Sequence, residues 1–157
     1  MRSMLWKETA AVRALGVRIP LLLFIAPNVL ELDDEGAAVG VPLGWRTTNH
    51  VGSLYVGVMA AAADLASGMN AFSLIRSRHR RIVPVFKYAN MEFLKRADGD
   101  TVFRTRDGRR IAAAMEEAER TGERVTLPVE VVATVPEKYG DEPVARFVMG
   151  LSVKKRA

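Results

Sequence analysis

A single uncharged run constrains most of what this 157-residue chain can fold into. Residues 51–63 contain no acid and no base, and the run stops at Asp64. Its centre, Val56-Gly57-Val58-Met59-Ala60-Ala61-Ala62-Ala63, is small and apolar, as in a helix buried on nearly all sides. The pattern predicts that helix over residues 54–72, with Ser53 as its N-cap. The run is too short to span a bilayer, so no membrane partner is expected.

The flanking segments read mostly as strands. Residues 4–15 predict a short helix stopped by Gly16, with Leu5, Val12 and Leu15 on one side. Residues 18–33 look extended, and Asp33-Asp34-Glu35-Gly36 is a hairpin turn leading to a strand over 37–43. A polar loop over 44–53 holds Thr47, Thr48, Asn49, His50 and Gly52. A strand over 81–94 is expected to bulge near Ala89-Asn90, and Asp98-Gly99-Asp100 turns into another over 101–105. Residues 108–121 form a second helix, with Ile111, Met115 and Ala118 inward and Gly122 as its stop. The last strands cover 125–135 and 144–153. In the second of these, Ala145, Phe147, Met149, Leu151 and Val153 share one face, and Arg146 and Ser152 the other.

One buried helix among long amphipathic strands defines an α+β domain over residues 1–157, an antiparallel sheet wrapped around that helix. A sheet so thinly covered favours a homodimer, joined through the strand near Arg81 to Tyr88 and open to pairing as a dimer of dimers.

Composition closes several chemistries. The chain has no cysteine, which excludes disulfides, zinc fingers, iron–sulfur clusters and thiol nucleophiles. With His50 and His79 alone, no multi-histidine metal site is expected. The apolar segment over 19–29 resembles a signal core, but Glu8 precedes it and Pro20 and Pro27 interrupt it, so a cytoplasmic protein is expected.

Charge is uneven. Residues 71–124 hold thirteen basic and eight acidic side chains, while residues 1–70 hold five and six. The densest part, Arg76, Arg78, Arg80, Arg81 and Lys87, has no intervening acid. Such a run suits either a solvated face or a phosphorylated ligand. No aromatic residues interleave it in the way nucleic-acid binding requires, and no nucleic-acid partner is expected.

Asp64 is the residue that does not fit a buried helix. An unpaired carboxylate is costly to bury, so it should face a cleft or a cation. Its surroundings carry a pattern. Asn49-His50-Val51-Gly52-Ser53-Leu54-Tyr55-Val56-Gly57, followed by Asp64, resembles the signature of PaaI-type hotdog-fold thioesterases. Those show an Asn, a Gly three positions later, His-Gly-Gly, then a helical Asp about two turns on. Asn49, Gly52, Gly57 and Asp64 stand at those positions. Met91-Glu92-Phe93-Leu94-Lys95-Arg96-Ala97-Asp98-Gly99-Asp100 resembles a second turn of the same superfamily. Over residues 20–155 the chain is most similar to an uncharacterised hotdog subfamily with an "NHvGs" loop and an extra helix before the last two strands. Tyr55 replaces the motif His, and Val56 replaces the first Gly of the pair.

The resemblance implies a hotdog fold and hydrolysis of an acyl-CoA or acyl-carrier thioester. It implies Asp64 as base or nucleophile, the Gly57 N–H as oxyanion donor from across a dimer interface, and Asn49 orienting the water or the carboxylate. His50, Gly52, Tyr55 and Val56 would line the substrate, and Arg76, Arg78, Arg80 and Arg81 would clamp the phosphates of coenzyme A. No cofactor is needed beyond the coenzyme A of the substrate. The second reading is a non-catalytic acyl-thioester binding protein of the same fold. A dehydratase ranks lower, because only His50 could supply its histidine. Asn49 as a loop cap and Gly57 as a packing glycine are the plain structural alternatives.

Overall fold

The structure is a computed structural model that describes residues 4–157. Its elements are α1 (Trp6–Leu15), α2 (Pro20–Ile25), β1 (Asn28–Leu32), β2 (Ala37–Val41), α3 (Val56–Ser77), β3 (Ile82–Phe93), β4 (Thr101–Thr105), α4 (Gly108–Thr121), β5 (Val125–Thr134), α5 (Pro136–Tyr139) and β6 (Pro143–Lys155). The strands form one antiparallel sheet in the order β1-β2-β4-β5-β6-β3. The β1–β2 hairpin turns through residues 33–36, where the Asp33 carboxylate accepts the amides of Glu35 and Gly36.

Alternation in the strands decides where the core lies. Phe103, Val131, Ala133, Phe147 and Met149 point to one face, against Met59, Ala62, Ala63, Ala66 and Met69 of α3. α4 covers the rest of that face, packing Ile111, Met115 and Ala118 on Leu127, Val129, Leu151 and Val153. Each fully buried large side chain contributes about 1.5–3 kcal/mol. Among the described residues, no helical layer covers the opposite face. α3 is long and apolar enough to cross a membrane by length and composition, but its apolar window is more than half buried inside the fold.

Two expectations are corrected. Residues 20–25 are helical, not extended: Pro20 opens the helix where no amide partner is needed, and Ala26, at φ 48°, ends it in the left-handed region. Leu22 and Ile25, three apart, then turn inward, and the strand starts only at Asn28. The long helix begins at Val56 and continues to Ser77; its N-cap is Tyr55, without a side-chain bond, and not Ser53. Ser152 lies on the face away from the core but is buried there, its hydroxyl accepting from Arg124 and Thr126. His79 is largely covered, with Nδ1 3.9 Å from a Glu119 carboxylate oxygen.

Among the described residues, β3 is an edge strand paired only with β6, and its register shifts between Phe86 and Ala89, next to the expected bulge. Val85, Tyr88, Met91 and Phe93 are exposed on it.

Candidate active site

The loop between β2 and α3 is built by its own polar side chains. The Thr47 hydroxyl donates to the Pro42 carbonyl at 2.7 Å and accepts the Gly44 amide at 2.9 Å. Asn49 Oδ1 accepts the amides of Val51 and Ser53, each at 3.0 Å. Gly52 sits at φ 76°, a conformation few other residues adopt without strain. The Asn49 side chain is therefore a loop cap, the plain alternative noted for it, and its carbonyl oxygen is committed inside the loop.

Both ends of that loop are tied to one neighbouring turn. Asp100 Oδ1 accepts the Leu43 amide at 2.9 Å, and the Ala97 carbonyl accepts the Leu54 amide at 2.8 Å. The Tyr55 amide then donates to the Thr47 carbonyl at 2.8 Å, which aims the chain into α3. The Ala97-Asp98-Gly99-Asp100 segment, read from sequence only as a turn, is thus a positioning element for the loop. Asp98 is held in turn by Lys138 and by the Tyr139 hydroxyl, at 2.5 and 3.1 Å, and these contacts lower its pKa despite a counteracting burial cost.

The first turn of α3 presents amides that have no partner within the helix, and among the described residues no side chain caps them. Gly57 lies in this turn. A Cβ built on Gly57 would stand 2.7 Å from Cε1 of Tyr55, so the half-exposed tyrosine ring rests over it. Glycine here makes room for a ring, or for whatever displaces that ring.

Asp64 follows two turns later on the same side of α3. The stripe it shares with Gly57, Ala60, Ala61 and Gly68 is the least buried face of the first four turns. Part of the residue reaches solvent, yet burial around the carboxyl raises its pKa above the ordinary carboxylate value. Among the described residues, neither a cation nor a hydrogen-bond donor meets that carboxylate.

The other expected site residues are not gathered here. His50 is exposed and its ring makes no hydrogen bond among the described residues. Gly52 and Val51 are exposed at the loop tip, and Val56 is exposed at the helix start. The arginines sit at the far end of α3, about 28 Å from Gly57 along the axis at the usual helical rise. There they diverge. The Arg76 guanidinium lies over the Phe72 ring and lines a groove with Lys7 and Glu8. Arg78 lines a separate cavity with Asp33, Asp34, His79 and Arg109. Arg80 is exposed, and Arg81 donates to the Arg156 carbonyl at 3.3 Å.

A six-stranded antiparallel sheet packed on one long helix is a hotdog fold. The chain belongs to the family described as a domain of unknown function, DUF4442, whose profile matches residues 8–153. No curated protein matches it in sequence. Its fold is similar to that of a probable thioesterase from Pseudomonas aeruginosa, with a TM-score of 0.74 and 22% identity over 94% of this chain and 96% of that one. A Chlorobaculum tepidum protein of unknown function superposes with a TM-score of 0.80 at 15% identity, over 95% and 94% of the two chains. A thioesterase family protein from Silicibacter pomeroyi gives 0.68 at 17% identity, over 95% and 99%.

Proposed function

We propose that this protein hydrolyses acyl thioesters of coenzyme A or an acyl carrier, and does so as a homodimer. The observation that carries the reading is Asp64: a carboxylate without a partner, on the open stripe of α3, two turns from amides without a cap. In the reaction, Asp64 takes a proton from water as the water oxygen bonds to the thioester carbonyl carbon. The Gly57 N–H and the helix dipole stabilise the resulting oxyanion. Collapse breaks the carbon–sulfur bond, and the proton passes to the departing sulfur. Direct attack by the Asp64 carboxylate would use the same groups. The coenzyme A of the substrate is the only cofactor-like group in this scheme, and a cytoplasmic setting is consistent with it.

One protomer cannot supply both groups to one carbonyl. Seven positions of α3 separate Gly57 from Asp64, about 10 Å along the axis. A carbonyl held by the donor of one copy and approached by the carboxylate of another removes that conflict. The long exposed edge β3, with its apolar side chains, offers the pairing surface.

Asp64→Asn is the test. Hydrolysis across a panel of acyl-CoA substrates should fall by about a hundredfold or more, as for loss of a general base. Affinity for a non-hydrolysable analogue should stay near that of the unsubstituted protein, because ground-state contacts are kept. Survival of turnover would make the carboxylate structural and the mechanism wrong.

The second reading, a non-catalytic acyl-thioester binding protein, is favoured by one observation: the Tyr55 ring fills the space that a Gly57 Cβ would take, next to the proposed donor. Analogue binding with no turnover on any chain length would establish it.

A further inference from the structure

Both tryptophans of the chain are exposed, Trp6 at 72% and Trp45 at 84%. Trp45 does not stand alone. Its ring meets Phe24 of α2 edge-on, with centroids 6.1 Å apart, and the Arg46 guanidinium lies 5.8–5.9 Å from both ring centroids. Leu21 lies three positions before Phe24 on α2, and Ile19 caps the helix; both are nearly half exposed, as is Phe24. α2 turns Leu22 and Ile25 into the core and leaves these other apolar side chains outside. A contiguous exposed patch of this kind marks an interaction surface.

Its charge selects the partner. No acid occurs in residues 9–30 or in residues 36–63, the two segments that build the patch, while exposed Arg18 and Arg46 belong to it. Aromatic and aliphatic side chains edged by arginine, on two segments without an acid and with the neighbouring Asp100 carboxylate occupied by the Leu43 amide, suit the boundary between anionic headgroups and acyl chains. We infer that the α2–Trp45 face docks the protein on an anionic phospholipid surface, with Leu21, Phe24 and Trp45 entering the headgroup boundary and Arg18 and Arg46 meeting the phosphates. The sequence-based expectation of no membrane partner rested on the lack of a span, and docking on a surface needs none. The inference stands apart from the thioesterase reading, because neither Asp64 nor Gly57 contributes to it.

Vesicle binding tests it. In Trp6→Phe, Trp45 is the sole indole, and its emission should shift to the blue on adding vesicles of phosphatidylcholine mixed with phosphatidylglycerol. The protein should sediment with those vesicles, less so as salt rises, and not with phosphatidylcholine alone. Leu21→Ser with Phe24→Ser should abolish the shift. Arg18→Glu with Arg46→Glu, which leaves every apolar side chain in place, should weaken binding about tenfold or more. Absence of any shift or sedimentation, or binding that ignores both pairs of substitutions, would overturn the inference. So would self-association without vesicles that Leu21→Ser with Phe24→Ser abolishes, because the face would then be covered by a second copy.

Discussion

Gly57 and Asp64 share one side of α3 but stand two helical turns apart, about 10 Å along the axis, so in the proposed reaction the pair on one helix would serve two different carbonyls. A mixture should expose this division. Gly57→Pro removes the donor N–H in the first turn, where proline is tolerated once the Tyr55 ring swings away from the added Cβ, and Asp64→Asn removes the carboxylate. Each homodimer should be inactive. Mixed and reassembled in equal amounts, they should recover about a quarter of the unsubstituted rate, because half the dimers then hold one intact site. No recovery, in a mixture shown to contain the heterodimer, would place both groups in one protomer.

The raised pKa of Asp64, caused by burial, sets the sign of two pH effects. The protonated form is the one that folding favours, so the stability this group contributes declines as pH rises through its folded pKa. Asp64→Asn should therefore unfold at higher denaturant concentration than the unsubstituted protein at neutral pH, with the difference closing in acid. Hydrolysis should show the opposite trend, its acid limb lying above the ordinary carboxylate range. Denaturation curves and rate profiles over pH check both.

Asp100 ties the loop at Leu43 through its side-chain Oδ1. Asp100→Ala should cost about 1.5–3 kcal/mol, the range for a hydrogen bond to a charged group. Activity should drop with it, because the loop that leads into Gly57 loses one anchor. Asp100→Asn, which keeps an acceptor oxygen, should recover most of both, as read by chemical denaturation and turnover.

Gly36 ends the first hairpin, where an added Cβ would meet the Thr105 carbonyl. The obstacle is backbone and cannot rotate away. Gly36→Ala should destabilise by about 2–4 kcal/mol, toward the upper end for single substitutions. Thermal unfolding measures it.

Legibility varied with the kind of signal. α4 was readable to its ends because Ile111, Met115 and Ala118 keep a helical period and Gly122 halts it in the left-handed conformation. The solitary Asp64 was equally plain, since an uncharged run stops there. The segment over 18–33 was not, because Pro-Leu-Leu-Leu-Phe-Ile has no alternation to separate helix from strand. The orientation of the Asn49 amide depends on where the chain returns at Val51 and Ser53, and the loop ties to Ala97 and Asp100 span more than forty residues. Neither is a property of local spacing. The arginines form one run in sequence, but the end of α3 turns Arg76 and Arg78 toward different grooves.

The shift in β3 between Phe86 and Ala89 bears on how far assembly can proceed. A straight, flat edge would accept copy after copy and grow into fibres. An interrupted register twists the strand, and Pro84, within it, offers no amide to a newcomer. In the proposed dimer, a second copy related by a two-fold axis would pair its β3 with this one and use up the free edge. Growth through this edge would then terminate at two chains, and any larger assembly would have to form through another face.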